Sequence, residues 1–182
     1  MVVTAMGLNL AEEDGFVSER IVDFHERHAK GGVGLIIVGV CGVGWPHGGN
    51  MPRQVALSDD RFIPGLQKMT SAAHTHGAKI AAQLHHGGLV STEDMREGRP
   101  VWVPSYPVKK AATFTDAFLE SELAAMYNPD APPPQLKVMD AADVDQMIAL
   151  FVAGAVRAQK AGFDVVEIHG GHGYISSEFL SP

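Results

Sequence analysis

The most constraining feature of this sequence is a repeated junction in which a helix end, a glycine and a short apolar strand follow one another. It occurs as AKGGVGLIIV, THGAKIAAQL and KAGFDVVEIH. Strands that alternate with helices pair in parallel through right-handed crossovers, so the chain is predicted to be α/β, either a barrel or a doubly wound sheet. A G-x-G-x-x-G motif after a strand is absent from the sequence, which disfavours the dinucleotide-binding sheet.

The remaining elements follow from apolar runs and capping residues. Strands are predicted at 1–6, 33–40, 78–84 and 163–169, and helices begin at Ser18, Ser58 and Asp140. The last helix carries an apolar stripe formed by Val144, Met147, Ile148, Phe151, Val152, Ala155 and Val156. The segment 41–57 and the proline-rich segment at about 85–139 are predicted to be irregular, and 115–126 could form a short helix within the second.

Four βα units make up half of a known architecture. A (β/α)8 TIM barrel needs eight such units and about 250 residues. Residues 1–182 are therefore interpreted as the N-terminal half of a barrel, about its first four units, with a long insertion at about 85–139. Four strands alone would leave open sheet edges and exposed core, so we expect association into a homo-oligomer.

Composition excludes several classes of function. The net charge is −7, which argues against a nucleic-acid partner, and no apolar run reaches the length of about 18 residues that a membrane span requires. The single cysteine, Cys41, falls in a predicted loop and fits a reducing compartment, so we expect a cytoplasmic protein. A zinc site built from His85, His86, His169 and His172 lacks an obvious carboxylate partner, and we predict no metal.

The candidate site lies where the predicted strands end, because ligands of parallel α/β folds bind at the carboxyl ends of strands. Those ends carry small, amide or imidazole residues, and the last one leads into a histidine and a tyrosine: Ala5, Met6, Gly7, Gly39, Gln83, His169, His172 and Tyr174. A planar cofactor across the barrel mouth would explain the set. Ordinary turn chemistry, with strand-end histidines bonded to backbone, is the alternative reading.

Several stretches resemble one known family. VVTAMG, GLIIVGV, KIAAQLHHGG, WVPS and above all AGFDVVEIHGGHGYISSEFLSP are similar to the Old Yellow Enzyme family of FMN-dependent oxidoreductases, in the branch with 2,4-dienoyl-CoA reductase and trimethylamine dehydrogenase. The resemblance implies that Thr4, Ala5, Met6 and Gly7 lie along the flavin ring and that Gly39 and Gln83 meet its pyrimidine edge. It also implies that His169, near the flavin, and His172 bind a substrate carbonyl, and that Tyr174 donates a proton.

The implied activity is reduction of the C=C bond of an enone or an enoyl thioester by an FMN-dependent ene-reductase that takes hydride from NADH or NADPH. An iron–sulfur cluster and FAD, which occur in that branch, are expected only in a C-terminal region beyond this chain. Two alternatives stay open. One is an amine dehydrogenase or demethylase on the same fold, and the other is a non-catalytic half-barrel.

Overall fold

The computed structural model describes residues 1–107 and 134–181. Its strands are β1 Val2–Val3, β2 Leu35–Gly42, β3 Val55–Ala56, β4 Lys79–His85, β5 Val101–Val103, β6 Leu136–Val138 and β7 Val165–Ile168. Its α-helices are α1 Glu19–Lys30, α2 Ile63–Thr75, α3 Thr92–Arg96, α4 Ala141–Lys160 and α5 Ile175–Leu180, and 3-10 turns cover Asp60–Phe62 and Gly88–Val90.

The main sheet is parallel, as the repeated junctions predict. Its strands lie in the order β1, β2, β4, β7, with the short β3 paired to the end of β2. Helix α1 connects β1 to β2, α2 connects β3 to β4, and α4 precedes β7. Strands β5 and β6 form a separate parallel pair. The sheet order brings the carboxyl ends of four successive βα units to one edge.

Two of the predicted helix starts, Ser18 and Asp140, are confirmed by their caps, whereas the segment predicted to begin at Ser58 is capped by Asp59, and the Ser58 hydroxyl donates to the Trp45 carbonyl instead. The Ser18 hydroxyl accepts from the backbone N–H of Ile21 at 3.3 Å. Asp140 and Asp143 form a reciprocal capping box at 2.9 and 3.1 Å, which satisfies backbone donors at the start of α4. These local bonds explain why single polar residues ahead of apolar periodic stretches located the helices correctly.

One apolar core lies between β2, β4 and the helices α1 and α2. Ile36, Ile80, Leu66 and Met69 are each fully buried within it. Strand β7 is different, because Val165, Val166 and Ile168 are 50%, 42% and 62% exposed. Within the described residues, no helix has both the length and the apolarity that crossing a bilayer would need.

Three expectations need correction. Strand β2 runs on through Gly42 and β3 lies within 41–57, so that segment is not wholly irregular. The described part of 85–139 contains α3, β5 and β6, while the proposed helix at 115–126 lies outside the described residues. The α4 stripe is only partly buried: Ile148, Val152 and Val156 are 56%, 60% and 45% exposed, because the stripe is wider than the face that packs on the sheet.

Candidate active site

The predicted strand-end residues do meet at one edge of the sheet. Gly7 and Gly39 form a parallel bridge, and Gln83 pairs in register with Glu167. The backbone N–H of His169 donates to the carbonyl of Leu84 at 3.0 Å, so β7 ends directly beside β4. The edge therefore presents residues from four strands that are far apart in the sequence.

Tyr174 lies at the centre of an aromatic cluster on this edge. Its ring centroid is 4.3 Å from that of His85, 4.6 Å from that of His169 and 6.1 Å from that of His172, all in edge-to-face arrangements. The phenol is half-buried, and burial raises its pKa while a hydrogen bond from Asn50 lowers it. Tyr174 is therefore protonated at neutral pH and can act as an acid.

The backbone that places Tyr174 turns sharply. His172 and Gly173 both adopt positive φ, at 59° and 71°, and a left-handed residue other than glycine costs about 1–2 kcal/mol. Helix α5 then starts after Tyr174, and its first backbone N–H, on Ile175, donates to the carbonyl of His86 at 3.2 Å. The Glu178 carboxylate accepts from the Leu89 N–H at 2.6 Å and ties the same helix to the loop after β4.

His169 and His172 form a hydrogen-bonded chain. The N–H of Gly171 donates to His169 Nδ1 at 3.2 Å, and His169 Nε2 lies 3.2 Å from His172 Nδ1. Since His169 Nδ1 accepts, its proton is on Nε2 and is directed at His172, which leaves His172 Nε2–H to donate to a ligand. Burial lowers the pKa of His169, followed by the charge of His172, with Glu167 opposing both.

Gln83 contributes a buried amide near the carboxyl end of β4. It is 7% exposed, and its Nε2 donates to Glu167 Oε1 at 3.0 Å. This bond fixes which end of the amide is which, so that Oε1 and the second N–H are the groups that can pair with a heterocycle carrying adjacent donor and acceptor atoms. Sequence reasoning missed Glu167, although its place in the β7 motif, two residues before His169, was visible.

The segment predicted to lie along a planar cofactor is open to solvent. Thr4, Met6 and Gly7 are exposed, Ala5 is half-buried, and Met6 is 46% exposed. These four residues make an accessible strand-end surface, which fits a flat ring, and Gln83 is buried at the strand ends. Gly39 has a packing reason to be glycine: an added Cβ would lie 2.7 Å from the Ala5 Cβ, so the residue allows β1 and β2 to approach.

Two amides missed by sequence reasoning belong to the same cluster. Asn50 Nδ2 donates to the Tyr174 hydroxyl at 2.7 Å, and Gln54 Nε2 donates to His85 Nδ1 at 3.0 Å. Both lie in the segment interpreted as an irregular loop, where the only sequence signal was a pair of amides four residues apart. His85 and His86, interpreted as structural or supporting histidines, are each 1% exposed.

The prediction that Cys41 lies in a loop is wrong. The residue lies inside β2, and its side chain is fully buried. Burial raises the pKa of the thiol to about 12, which removes the reactive thiolate at neutral pH. The cysteine is a core residue, and the chemistry of the edge falls to imidazole, phenol and amide groups.

Fold and site together define a partial β/α barrel with imidazole, phenol and amide groups gathered at its strand ends. The chain belongs to the NADH:flavin oxidoreductase / NADH oxidase family, whose family model matches residues 1–182. This confirms the predicted kinship with the Old Yellow Enzymes and the partial TIM-barrel fold.

Individual proteins agree with this membership. The chain is 38% identical over 182 residues to an NADH oxidase of Thermoanaerobacter brockii, and covers 100% of itself and 25% of that protein. It is 36% identical over 171 residues to an NADPH dehydrogenase of Halalkalibacterium halodurans, and covers 94% of itself and 43% of that protein. The crystal structure of Old Yellow Enzyme from Pichia sp. AKU4542 superposes with a TM-score of 0.79 at 25% identity, over 99% of this chain and 44% of that one. The chain thus spans less than half the length of these relatives.

Proposed function

We propose that this chain carries the flavin-facing and substrate-facing edge of an NAD(P)H-dependent, FMN-containing oxidoreductase that reduces the C=C bond of α,β-unsaturated carbonyl compounds. The observation that carries the proposal is the cluster of Tyr174, His169 and His172 beside the Gln83 amide at the carboxyl ends of neighbouring strands. Membership of the flavin oxidoreductase family supports the redox class, and the residue chemistry supports the substrate class.

The residues that would hold FMN are the exposed Thr4, Met6 and Gly7, the half-buried Ala5 and His169, and the buried Gly39 and Gln83 at the strand ends. When bound, the flavin supplies hydride transfer, with electrons from NADH or NADPH. Gln83 would pair with the donor and acceptor atoms on one edge of the ring. Since Glu167 already occupies one Gln83 N–H, the amide cannot rotate freely and would present a fixed pattern to the ring.

The substrate side is formed by the two imidazoles and the phenol. An imidazole N–H donated to the carbonyl oxygen stabilises the negative charge that develops there as the β carbon receives hydride. His172 Nε2–H is the donor that the described geometry leaves available, and His169 would join it once its bond to His172 is exchanged for one to the ligand. Tyr174 then gives its hydroxyl proton to the α carbon.

The experiment is a reconstitution of the purified chain with FMN, followed by separate half-reactions. We expect flavin absorption bands to remain with the protein after desalting, reduction by NADPH, and reoxidation by 2-cyclohexenone. Tyr174→Phe should slow reoxidation by at least about tenfold and leave reduction within about twofold, because proton donation belongs to the second half-reaction only.

Tyr106→Phe is the matched control, since Tyr106 is 70% exposed and removal of its hydroxyl should change neither half-reaction. Failure to retain flavin would reject the cofactor assignment. Retention of flavin with equal reoxidation rates in the Tyr174 and Tyr106 variants would reject Tyr174 as the acid.

We also propose self-association of the 182-residue chain. The apolar residues exposed on β7 support this proposal, because an apolar strand at a sheet edge offers both unpaired backbone groups and hydrophobic surface. Sedimentation should give a mass above the 19.4 kDa of one chain, and a monomer at micromolar concentration would contradict it.

A further inference from the structure

The Tyr174 hydroxyl has a specific protein partner. Asn50, in the loop between β2 and β3, donates an Nδ2–H to Tyr174 Oη at 2.7 Å, across 124 positions of sequence. Because the phenol oxygen accepts this bond through a lone pair, the hydroxyl proton is left free to point elsewhere. The contact thus leaves Tyr174 in the state that a proton donor needs.

Asn50 is itself held by a buried amide. Its backbone N–H donates to Gln54 Oε1 at 3.0 Å, and Gln54 is 2% exposed. A backbone N–H can only donate, so the orientation of the Gln54 amide is fixed and its Nε2 must be the group that donates to His85 Nδ1. His85 therefore carries its proton on Nε2 as a neutral imidazole.

The titratable groups that face the Tyr174 ring in the described residues are three histidines. His85 packs against it from β4, His169 from the end of β7 and His172 from the turn that follows. Burial lowers the pKa of His85 to about 3 and also lowers that of His169. Two of the three rings therefore provide no positive charge at neutral pH, and the Asn50 amide is a direct hydrogen-bond donor to the phenol oxygen.

We propose that Asn50 is a positioning residue for proton transfer by Tyr174: its amide keeps the hydroxyl proton directed away from the β2–β3 loop and stabilises the phenolate that remains after transfer. The stabilisation arises because a hydrogen bond to a charged oxygen is roughly twice as strong as one to a neutral oxygen. The inference rests on the proposed function for the identity of the proton acceptor, and on the Asn50 to Tyr174 contact for everything else.

The test is a pH titration of the tyrosine Cζ carbons by NMR in ¹³C-labelled protein. The chain has three tyrosines, and Tyr174→Phe assigns the signal of interest. Asn50→Ala removes the donor, and we expect the Tyr174 pKa to rise by about one unit. Asn50→Asp keeps the shape but replaces the donor by a carboxylate, so the rise should be larger. The Asn50→Ala result decides the question, because a residue that only filled space would leave the Tyr174 pKa of that variant unchanged.

The matched control is Asn9→Asp. Asn9 Oδ1 accepts a hydrogen bond from the backbone N–H of Arg53, a role that a carboxylate retains. The substitution adds the same charge at a solvent-exposed position. It should leave the Tyr174 pKa unchanged. The proposal is overturned if Asn50→Ala leaves the Tyr174 pKa unchanged or lowers it, since a fall would mean that the amide accepts the phenol proton, or if Asn50→Asp, which preserves the side-chain shape, fails to raise it.

The titration needs neither flavin nor substrate, so a chain that fails to bind FMN still gives a result for Asn50. In flavin-loaded protein, Asn50→Ala should also lower kcat for enone reoxidation by about tenfold and leave KM within about twofold, because the lost interaction forms fully only as charge develops on Oη. An equal loss in NADPH reduction would instead indicate a general structural effect and contradict the assignment.

Discussion

Two pairs of histidines lie at the ends of two neighbouring strands of this sheet, and they differ in how deeply they are buried. His85 and His86, at the end of β4, are each 1% exposed, and burial lowers the pKa of each to about 3. His169 is half-buried and His172 is exposed, and they follow β7 at the same edge. Only the second pair has imidazole groups accessible to a ligand.

The difference comes from what covers each strand end. The loop after β2 lies over the first pair: Gly48 packs on the His86 ring and Gln54 bonds to His85. His169 instead bonds to the neighbouring Gly171 and to His172. The same residue type at equivalent strand ends is therefore buried under a loop in one case and accessible to a ligand in the other, according to the loop above it.

The largest effect on stability should come from a substitution in the loop after β2, which packs on His85 and His86. An added Cβ at Gly48 would lie 2.2 to 2.6 Å from His86 ring atoms, and the residue has a φ of +74°. Gly48→Ala should therefore lower the free energy of unfolding by about 2–5 kcal/mol, from overpacking and backbone strain together.

Gly77→Ala separates the two causes. Gly77 has a φ of +80° with nothing within 4 Å of an added Cβ, so only the backbone cost of about 1–2 kcal/mol applies. Denaturant unfolding of both variants checks the comparison, and equal losses would mean that the His86 ring is not tightly covered.

Much of this arrangement followed from sequence. The βα junctions, the caps at Ser18 and Asp140, and the strand ends at Gln83 and His169 are local patterns, and local patterns were sufficient to place them. The family resemblance then gave His172 and Tyr174 their expected roles, and the structure places both beside His169.

The contacts that could not be predicted from the sequence depend on the path of a loop or on strand register. The Asn50 to Tyr174 bond joins residues 124 positions apart, and the loop that carries Asn50 has no periodicity from which its course could be read. Glu167 reaches Gln83 only because of the β4–β7 register. The loop prediction for Cys41 is wrong because the glycine and proline content of 41–57 indicates irregular structure from its first residue, whereas β2 stays buried and regular from Val38 to Gly42.

A smaller effect should appear in the pH dependence of the free energy of unfolding. His86 has a folded pKa of about 3, below the unfolded value of about 6.5, so the unfolded chain takes up its proton first as pH falls. Its contribution to stability is complete above about pH 6.5 and is lost progressively toward pH 3, at up to about 1.4 kcal/mol per pH unit.

The measurement is the difference in unfolding free energy between wild type and His86→Gln at pH 6 and pH 4. We expect this difference to shrink by roughly 2–3 kcal/mol, because the variant lacks the titrating group. The Glu178 carboxyl, whose pKa burial raises to about 7, acts in the opposite direction but is common to both proteins and cancels. Gly77→Ala should show a pH-independent difference, and the same constancy in His86→Gln would contradict the burial argument.

The central claim is that the strand-end edge binds a flavin with the exposed histidine pair above it, and a phenol titration tests it most directly. A phenol such as 4-hydroxybenzaldehyde, added to the FMN-loaded chain, should bind as its phenolate against His169 and His172 and produce a long-wavelength charge-transfer band. We expect the band to be lost in the His169→Ala/His172→Ala variant and kept in Gln67→Ala, an exposed position on α2 away from the strand ends. A band of undiminished intensity in the double variant would contradict the account.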